Sequence, residues 1–278
     1  MEITEKEKIA LYRGRDIAIN EHINIHVPTL DEIFEYGERE YFSFINTICS
    51  VGADLKWQLD EIGIDYTKVE DFELFSQFLI NTVDYNISPI IFGNILDFKN
   101  MRLIYNEKIE DNILVQHVDN IKEIEKNNLK NKINKSINKP IETEIIDKSY
   151  DIVIDKAIYS KIVSVLRYMH GFKRNNEKPM NEMTRQFLID EAKENYEINK
   201  DKPYESQLFD LISTMVNTDG FKHDEVTVFN MNIVAFFNSV KRIQKIKKSD
   251  LLLQSGYSGF GINLKEVKKE DTDMFGKL

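Results

Sequence analysis

The chain has 278 residues, 42% hydrophobic and 30% charged, with a formal net charge of −10. That length can bury a sizeable core, and 17 Phe and 12 Tyr residues exclude a disordered chain. The acidic balance argues against nucleic-acid binding, whose affinity comes largely from neutralising phosphates, and no apolar run reaches the roughly 20 residues of a membrane span.

The first segment, Met-Glu-Ile-Thr-Glu-Lys-Glu-Lys, lacks the apolar stretch of a secretory signal. The single Cys49 cannot form an internal disulfide, so a reduced, cytoplasmic setting is expected. From Ile17 to Val27 nearly every odd position is apolar, with Asn20, His22, Asn24 and His26 between them. Period two predicts a half-buried strand or hairpin, stopped by Pro28. Thr29 followed by Glu32 reads as a capping box. Leu30, Ile33, Phe34, Tyr41, Phe44, Ile45 and Ile48 then form one helical stripe.

A shorter helix is expected over 54–62, closed by Gly63. Another opens at Glu70–Asp71, with Leu74, Phe75, Phe78 and Leu79 inward. Pro89 to Gly93 reads as a turn or a single helical turn. Residues 101–105 and 113–118 alternate around a polar connection and predict a hairpin. Between 120 and 139 fall six lysines and six asparagines. Such a stretch buries too little apolar surface to offset its ordering entropy. It is expected to be an insertion or linker (120–140) between an N-terminal half (1–119) and a helical C-terminal half (141–278).

Beyond it, residues 150–154 return to a sheet. Asp155 begins a helix carrying Ile158, Ile162, Val165 and Met169, ended by Gly171. Asn181 caps a helix running toward Tyr196. Pro203 is expected near the first turn of the next, where a missing N–H is harmless, and the stripe of that helix is Leu208, Leu211, Ile212 and Met215. The longest helix is expected over 226–247. Together these patterns predict an α+β fold, mainly α-helical, with small antiparallel β elements.

Few residues suggest chemistry. His22 and His26 would lie roughly 13 Å apart on one strand and share no ion. His170, before Gly171, reads as a cation at a helix C-terminus. Asp147, Asp151 and Asp155 recur every four residues, but a strand would spread them, and Asp155 suits a cap. Cys49 sits among apolar residues and reads as a small buried hydrophobe. No catalytic residue, metal site or cofactor is expected. Gly256-Tyr-Ser-Gly-Phe-Gly261 follows a helix and puts aromatics where a phosphate loop would hold phosphate. It reads instead as a glycine-permitted loop. Tyr257 and Phe260 on it, beside the cations Lys241, Arg242 and Lys245, form the candidate docking surface for a protein partner.

Several segments resemble parts of proteins encoded among the tail genes of phages and prophages of Gram-positive bacteria. They are His26–Ile33, Ile64–Phe75, Asn199–Leu208, Leu211–Asn217 and Ser255–Leu278. The resemblance spans most of the chain outside the Lys/Asn stretch. It implies a non-enzymatic tail assembly chaperone in the host cytoplasm, coating the tape measure while the tail tube polymerises. Two alternatives stay open: a virion component of the tail or connector forming a symmetric ring, and a host-directed accessory protein.

Overall fold

A computed structural model describes residues 3–83, 86, 88–93, 96–107, 109–116, 152–258 and 261–278. The expected insertion at 120–140 lies outside the described residues. Among the described residues helices dominate, with one two-stranded and one three-stranded antiparallel sheet.

Helix α1 (Glu5–Tyr12) begins on a Thr4/Glu7 capping box that no apolar stripe announced, since of its residues only Leu11 is buried. The alternating segment forms β1 (Ile17–Ala18) and β2 (Asn24–Ile25), antiparallel with Ile17 opposite Ile25. Thr29 and Glu32 form the expected box: Glu32 N–H donates to Thr29 Oγ1 at 3.2 Å and Thr29 N–H to Glu32 Oε2 at 2.7 Å.

The single stripe after it is divided. Helix α2 (Leu30–Tyr36) ends at Gly37, whose φ of 102° lies where L side chains rarely go, and α3 (Glu38–Cys49) restarts at once. The residues of the stripe still face one core, with Tyr41, Phe44, Ile45 and Ile48 at most 1% exposed. Each such side chain contributes roughly 1.5–3 kcal/mol by leaving water.

Helix α4 (Lys56–Glu61) is followed by Gly63 at φ +74°, and α5 (Asp71–Leu74) continues through a wider π turn to Leu79. Helix α6 (Ser88–Phe92) is the short turn expected near Pro89. Strands β3 (Arg102–Asn106) and β4 (Asp111–Gln116) form the hairpin, with Ile104 opposite Ile113. Strand β5 (Ile152–Ile154) adds to β4, Leu114 facing Ile154.

Helix α7 (Lys156–His170) follows directly. The Asp155 side chain accepts from Ile158 N–H, and Gly171 closes the helix in a left-handed conformation. Helix α8 (Glu182–Asn199) starts at Asn181 as expected. Pro203 precedes the next helix by a few residues: α9 (Gln207–Val216) is capped by Ser206, whose hydroxyl accepts from Phe209 N–H. The longest helix, α10 (Ile233–Tyr257), also starts later than expected. A 3₁₀ turn at Thr227–Asn230 precedes it, and Asn232 caps it and donates to Tyr12 O at 3.2 Å. Helix α11 (Lys269–Thr272) lies near the C-terminus.

The starts of α2 and α10 are stitched together by main chain. Leu30 N–H donates to Met231 O and Ile233 N–H to Pro28 O, both at 2.9 Å, around an antiparallel bridge between Thr29 and Asn232. The main core draws on residues from Leu11 to Val240, on both sides of the Lys/Asn stretch. A smaller cluster of Val51, Ala53, Leu59, Tyr66, Leu74 and Ile189 seats α8 on α4, where Trp57 and Tyr196 lie 4.9 Å apart.

His170 departs most from expectation. It is buried, and Nδ1 lies 2.7 Å from Leu166 O while Nε2 lies 2.6 Å from Tyr41 Oη. A carbonyl only accepts, so Nδ1 carries the proton and Nε2 accepts from the tyrosine. Burial pulls the imidazole pKa down to about 4, so the ring is neutral at physiological pH rather than a helix-end cation.

An unfolded histidine takes a proton near pH 6.5, while this one resists it to about 4. Stability attributable to this residue is therefore complete above pH 6.5 and is lost as pH falls through that window, by up to about 3 kcal/mol. Glu7 and Asp65, each held down to about 2 chiefly by hydrogen bonds from side chains, begin to lose their contributions only below their ordinary values of 4.5 and 3.8, beneath most of that window. Denaturant unfolding between pH 7.5 and 5 is expected to show this slope, and His170→Gln should flatten it. Tyr41→Phe, which leaves Nε2 buried without a donor, should cost about 1–3 kcal/mol at pH 7.5.

Candidate functional site

The expected docking residues are distributed along α10. The helix continues to Tyr257, so Gly256 and Tyr257 occupy its last turn and not a loop. A Cβ at Gly256 would stand 2.2 Å from Leu264 Cγ, so the glycine admits the returning chain against the helix. Tyr257 is 80% exposed. Phe260 lies outside the described residues.

The cations stand three to four turns earlier, roughly 18–24 Å away along the axis. Arg242 Nη1 donates to Met274 O (3.0 Å) and Gly276 O (2.9 Å), and Lys245 Nζ to Lys277 O (2.6 Å). Lys248 Nζ meets Asp271 Oδ1 at 2.5 Å, and the fully buried Ser249 donates to Asp271 O at 2.8 Å. Lys241 points toward Gly171, where a Cβ would meet its Nζ at 2.9 Å. The structure thus gathers Arg242, Lys245 and Lys248 under the C-terminal segment and sets Tyr257 apart from them.

A second site was missed by periodicity. Helices α3, α9 and α10 leave a cleft of about 810 Å³ beside the segment joining α8 to α9. Its apolar wall is Phe42, Phe172, Leu208, Leu211 and Phe237, and Arg39, Lys200 and Lys202 stand exposed on its rim. Phe42 and Phe237 lie immediately beside the buried positions Tyr41 and Phe236 and pack partly on the core, so the apolar faces of α3 and α10 extend beyond their fully buried positions. That width is the signal the sequence carried. Which helices share it is a tertiary fact.

Glu38 makes the cleft's polar end. It is 7% exposed, and its carboxylate accepts from Ser206 Oγ and from Leu208 N–H at 3.0 Å. The buried charge thereby holds the first turn of α9, where a carboxylate is favoured by the helix dipole. Tyr204, under the Arg39 guanidinium at 6.0 Å, has its phenol pKa pushed up to about 12 by burial and by its hydrogen bond to Glu38.

The remaining candidates have local roles. Burial pushes the Cys49 thiol up to about 12, which suppresses the thiolate that nucleophilic chemistry requires. His22 Nε2 meets Glu21 at 3.4 Å, whereas His26 sits between Asp16 (2.8 Å) and Glu32 (3.5 Å). Asp155 is a cap, and Asp147 and Asp151 lie outside the described residues. Among the described residues no group of three or more His, Cys, Asp or Glu is placed to hold a metal ion, and no helix is long and apolar enough to cross a membrane.

Comparisons with protein-family models, with curated proteins and with solved structures find no match to this chain.

An exposed aromatic at a helix end contributes little to folding. Tyr257→Ala is expected to leave the melting temperature within about 2 °C of the parent by calorimetry. A larger fall would give Tyr257 a packing role.

Proposed function

We propose that this protein is a non-enzymatic phage tail assembly factor, a chaperone that holds helical segments of the tape measure while the tail tube polymerises. The observation that supports it is the aromatic cleft. About 810 Å³ of space with an apolar wall of Phe42, Phe172, Leu208, Leu211 and Phe237 suits one face of an amphipathic helix. Such a partner would seat apolar residues at i, i+3 or i+4, and i+7 on that wall. The cations Arg39, Lys200 and Lys202 would meet acidic residues flanking its apolar stripe, favouring encounter and register over raw affinity. Phe and Tyr side chains suit such a wall because they bury large areas with few rotors to freeze.

The test is co-expression with the tape measure protein of the same phage, followed by co-elution. Leu211→Glu, half-buried on the cleft wall, should reduce capture at least about tenfold, and Arg39→Glu with Lys200→Glu should reduce it in a salt-dependent way. Because Arg39 and Lys200 are exposed, the second variant should keep its melting temperature within a few degrees. Unchanged capture by both variants would remove the cleft from the account. Mass spectrometry of purified particles supplies an independent check: a chaperone is missing from them, and a stoichiometric amount of the chain would make it a virion component.

A further inference from the structure

Strand β3 forms one edge of the three-stranded sheet, whose order is β3-β4-β5, and among the described residues no strand pairs with its far side. Successive residues of an antiparallel strand turn their N–H and C=O groups to opposite neighbours, so about half of those on β3 face away from β4. Natural sheets blunt such an edge with proline, charged side chains, a bulge or a very short strand. Of these β3 has a single charge, Arg102 at its start. Arg102–Asn106 pairs with Val115–Asp111 in unbroken register, and its centre is Leu103-Ile104-Tyr105. An apolar row of the sheet also runs off this edge. Ile154, Leu114 and Leu103 stand side by side across the three strands, 1%, 1% and 38% exposed, and Tyr105, on the same face of β3, is 61% exposed. The row is covered on two strands and open on the third.

We infer that β3 is a pairing surface for a second copy of this chain, the two β3 strands running antiparallel about a two-fold axis at Ile104 and joining two three-stranded sheets into one of six. The sequence argues for this occupant because β3 is complementary to itself in that register. Ile104 meets Ile104, Leu103 meets Tyr105 on each side of the axis, and Arg102 meets Asn106. Aliphatic–aromatic pairs stabilise neighbouring strands, and no like charges oppose one another. A slip of one residue would set the core face of one sheet against the outer face of the other, which fixes the register. The same contact made twice is the self-complementary interface that a two-fold dimer requires. A five-residue pairing is smaller than a standard interface, so the dimer forms at about micromolar concentrations and above. Strand β3 shares no residue with the aromatic cleft, so its test does not bear on the tail-assembly reading.

Sedimentation velocity on the intact chain from about 1 to 200 µM should move the parent from one chain mass toward two. Leu103→Lys with Tyr105→Lys sets lysine against lysine at both outer pairs and should weaken the dimer at least about tenfold. Both positions are exposed, so the melting temperature should hold within a few degrees. Leu103→Glu with Tyr105→Glu should act alike, and an equimolar mixture of the two double variants should restore the dimer. Cross-linking reads the register. Ile104→Cys would face its own copy at about 5 Å, within disulfide reach, whereas Arg102→Cys would stand roughly 14 Å from its copy. Oxidation should therefore join Ile104→Cys chains and leave Arg102→Cys chains single, with the buried Cys49 common to both. A parent that stays monomeric to about 200 µM overturns the inference. So does a dimer that the lysine variant leaves intact, or cross-linking of Arg102→Cys as fast as that of Ile104→Cys. Should the lysine variant not fold, the parent's mass and the two cysteine variants decide.

Discussion

The hydrogen bond from Tyr41 to the neutral ring of His170 is the constraint on which the centre of the molecule depends. It joins α3 to the C-terminal end of α7, and both groups are hidden from water. In that setting a polar group must be fully matched, because an unmade hydrogen bond costs more than a made one contributes. The match is complete only for one tautomer and one charge state. Two further bonds run between the same helices: Tyr159 donates to Ile48 O at 2.9 Å, and Arg167 donates to Cys49 O. These bonds satisfy carbonyls at the end of α3, where no further helical turn exists to accept them. Helix α7 thus fixes α3 in height and rotation, while its other contacts reach α5, β5 and α10.

From that frame the cleft and the expected docking residues acquire their geometry. The aromatic cleft needs α3 and α10 held apart at one side, with α9 seated by the buried Glu38 carboxylate. The docking residues expected from sequence need only α10 itself, a 25-residue helix whose middle carries cations and whose last turn carries Gly256 and Tyr257. A rigid rod with contacts at several heights can present separate surfaces without coupling them. The split between Tyr257 and Arg242 follows from the same rod, because about fifteen residues of helix are roughly 22 Å of separation.

Local chemistry made much of the fold legible. The alternation from Ile17 to Val27, the Thr29/Glu32 box, the Asp155 cap and the stop at Gly171 each rest on neighbours within four residues, and each is present. Errors arose where a local pattern had two readings. A helical stripe continues in phase across Gly37, so periodicity could not see the break that its backbone makes. Glycine-rich sequence after Gln254 suggested a loop, whereas Gly256 serves the close approach of Leu264 within a helix. His170 looked like a cation because its sequence neighbours are those of a helix end. Its charge is set by burial in a core that Tyr41, 129 residues away, helps to close. The cleft was invisible for the same reason: its wall is assembled from α3, α9, α10 and the turn after α7, and no window of sequence contains it.

The stitch between Pro28–Leu30 and Met231–Ile233 has a consequence for biogenesis. Thr29 and Asn232 are separated by some two hundred residues of translation. At ribosomal speeds of about 5–20 residues per second, the N-terminal segment waits roughly 10–40 s for the strand that completes it. Throughout that interval Leu30 and Ile33, destined to be wholly inaccessible, lack the last-made part of their surroundings. Vectorial synthesis therefore delivers the closing element some two hundred residues after the segment it covers, and a nascent chain halted before Asn232 would carry an open apolar flank.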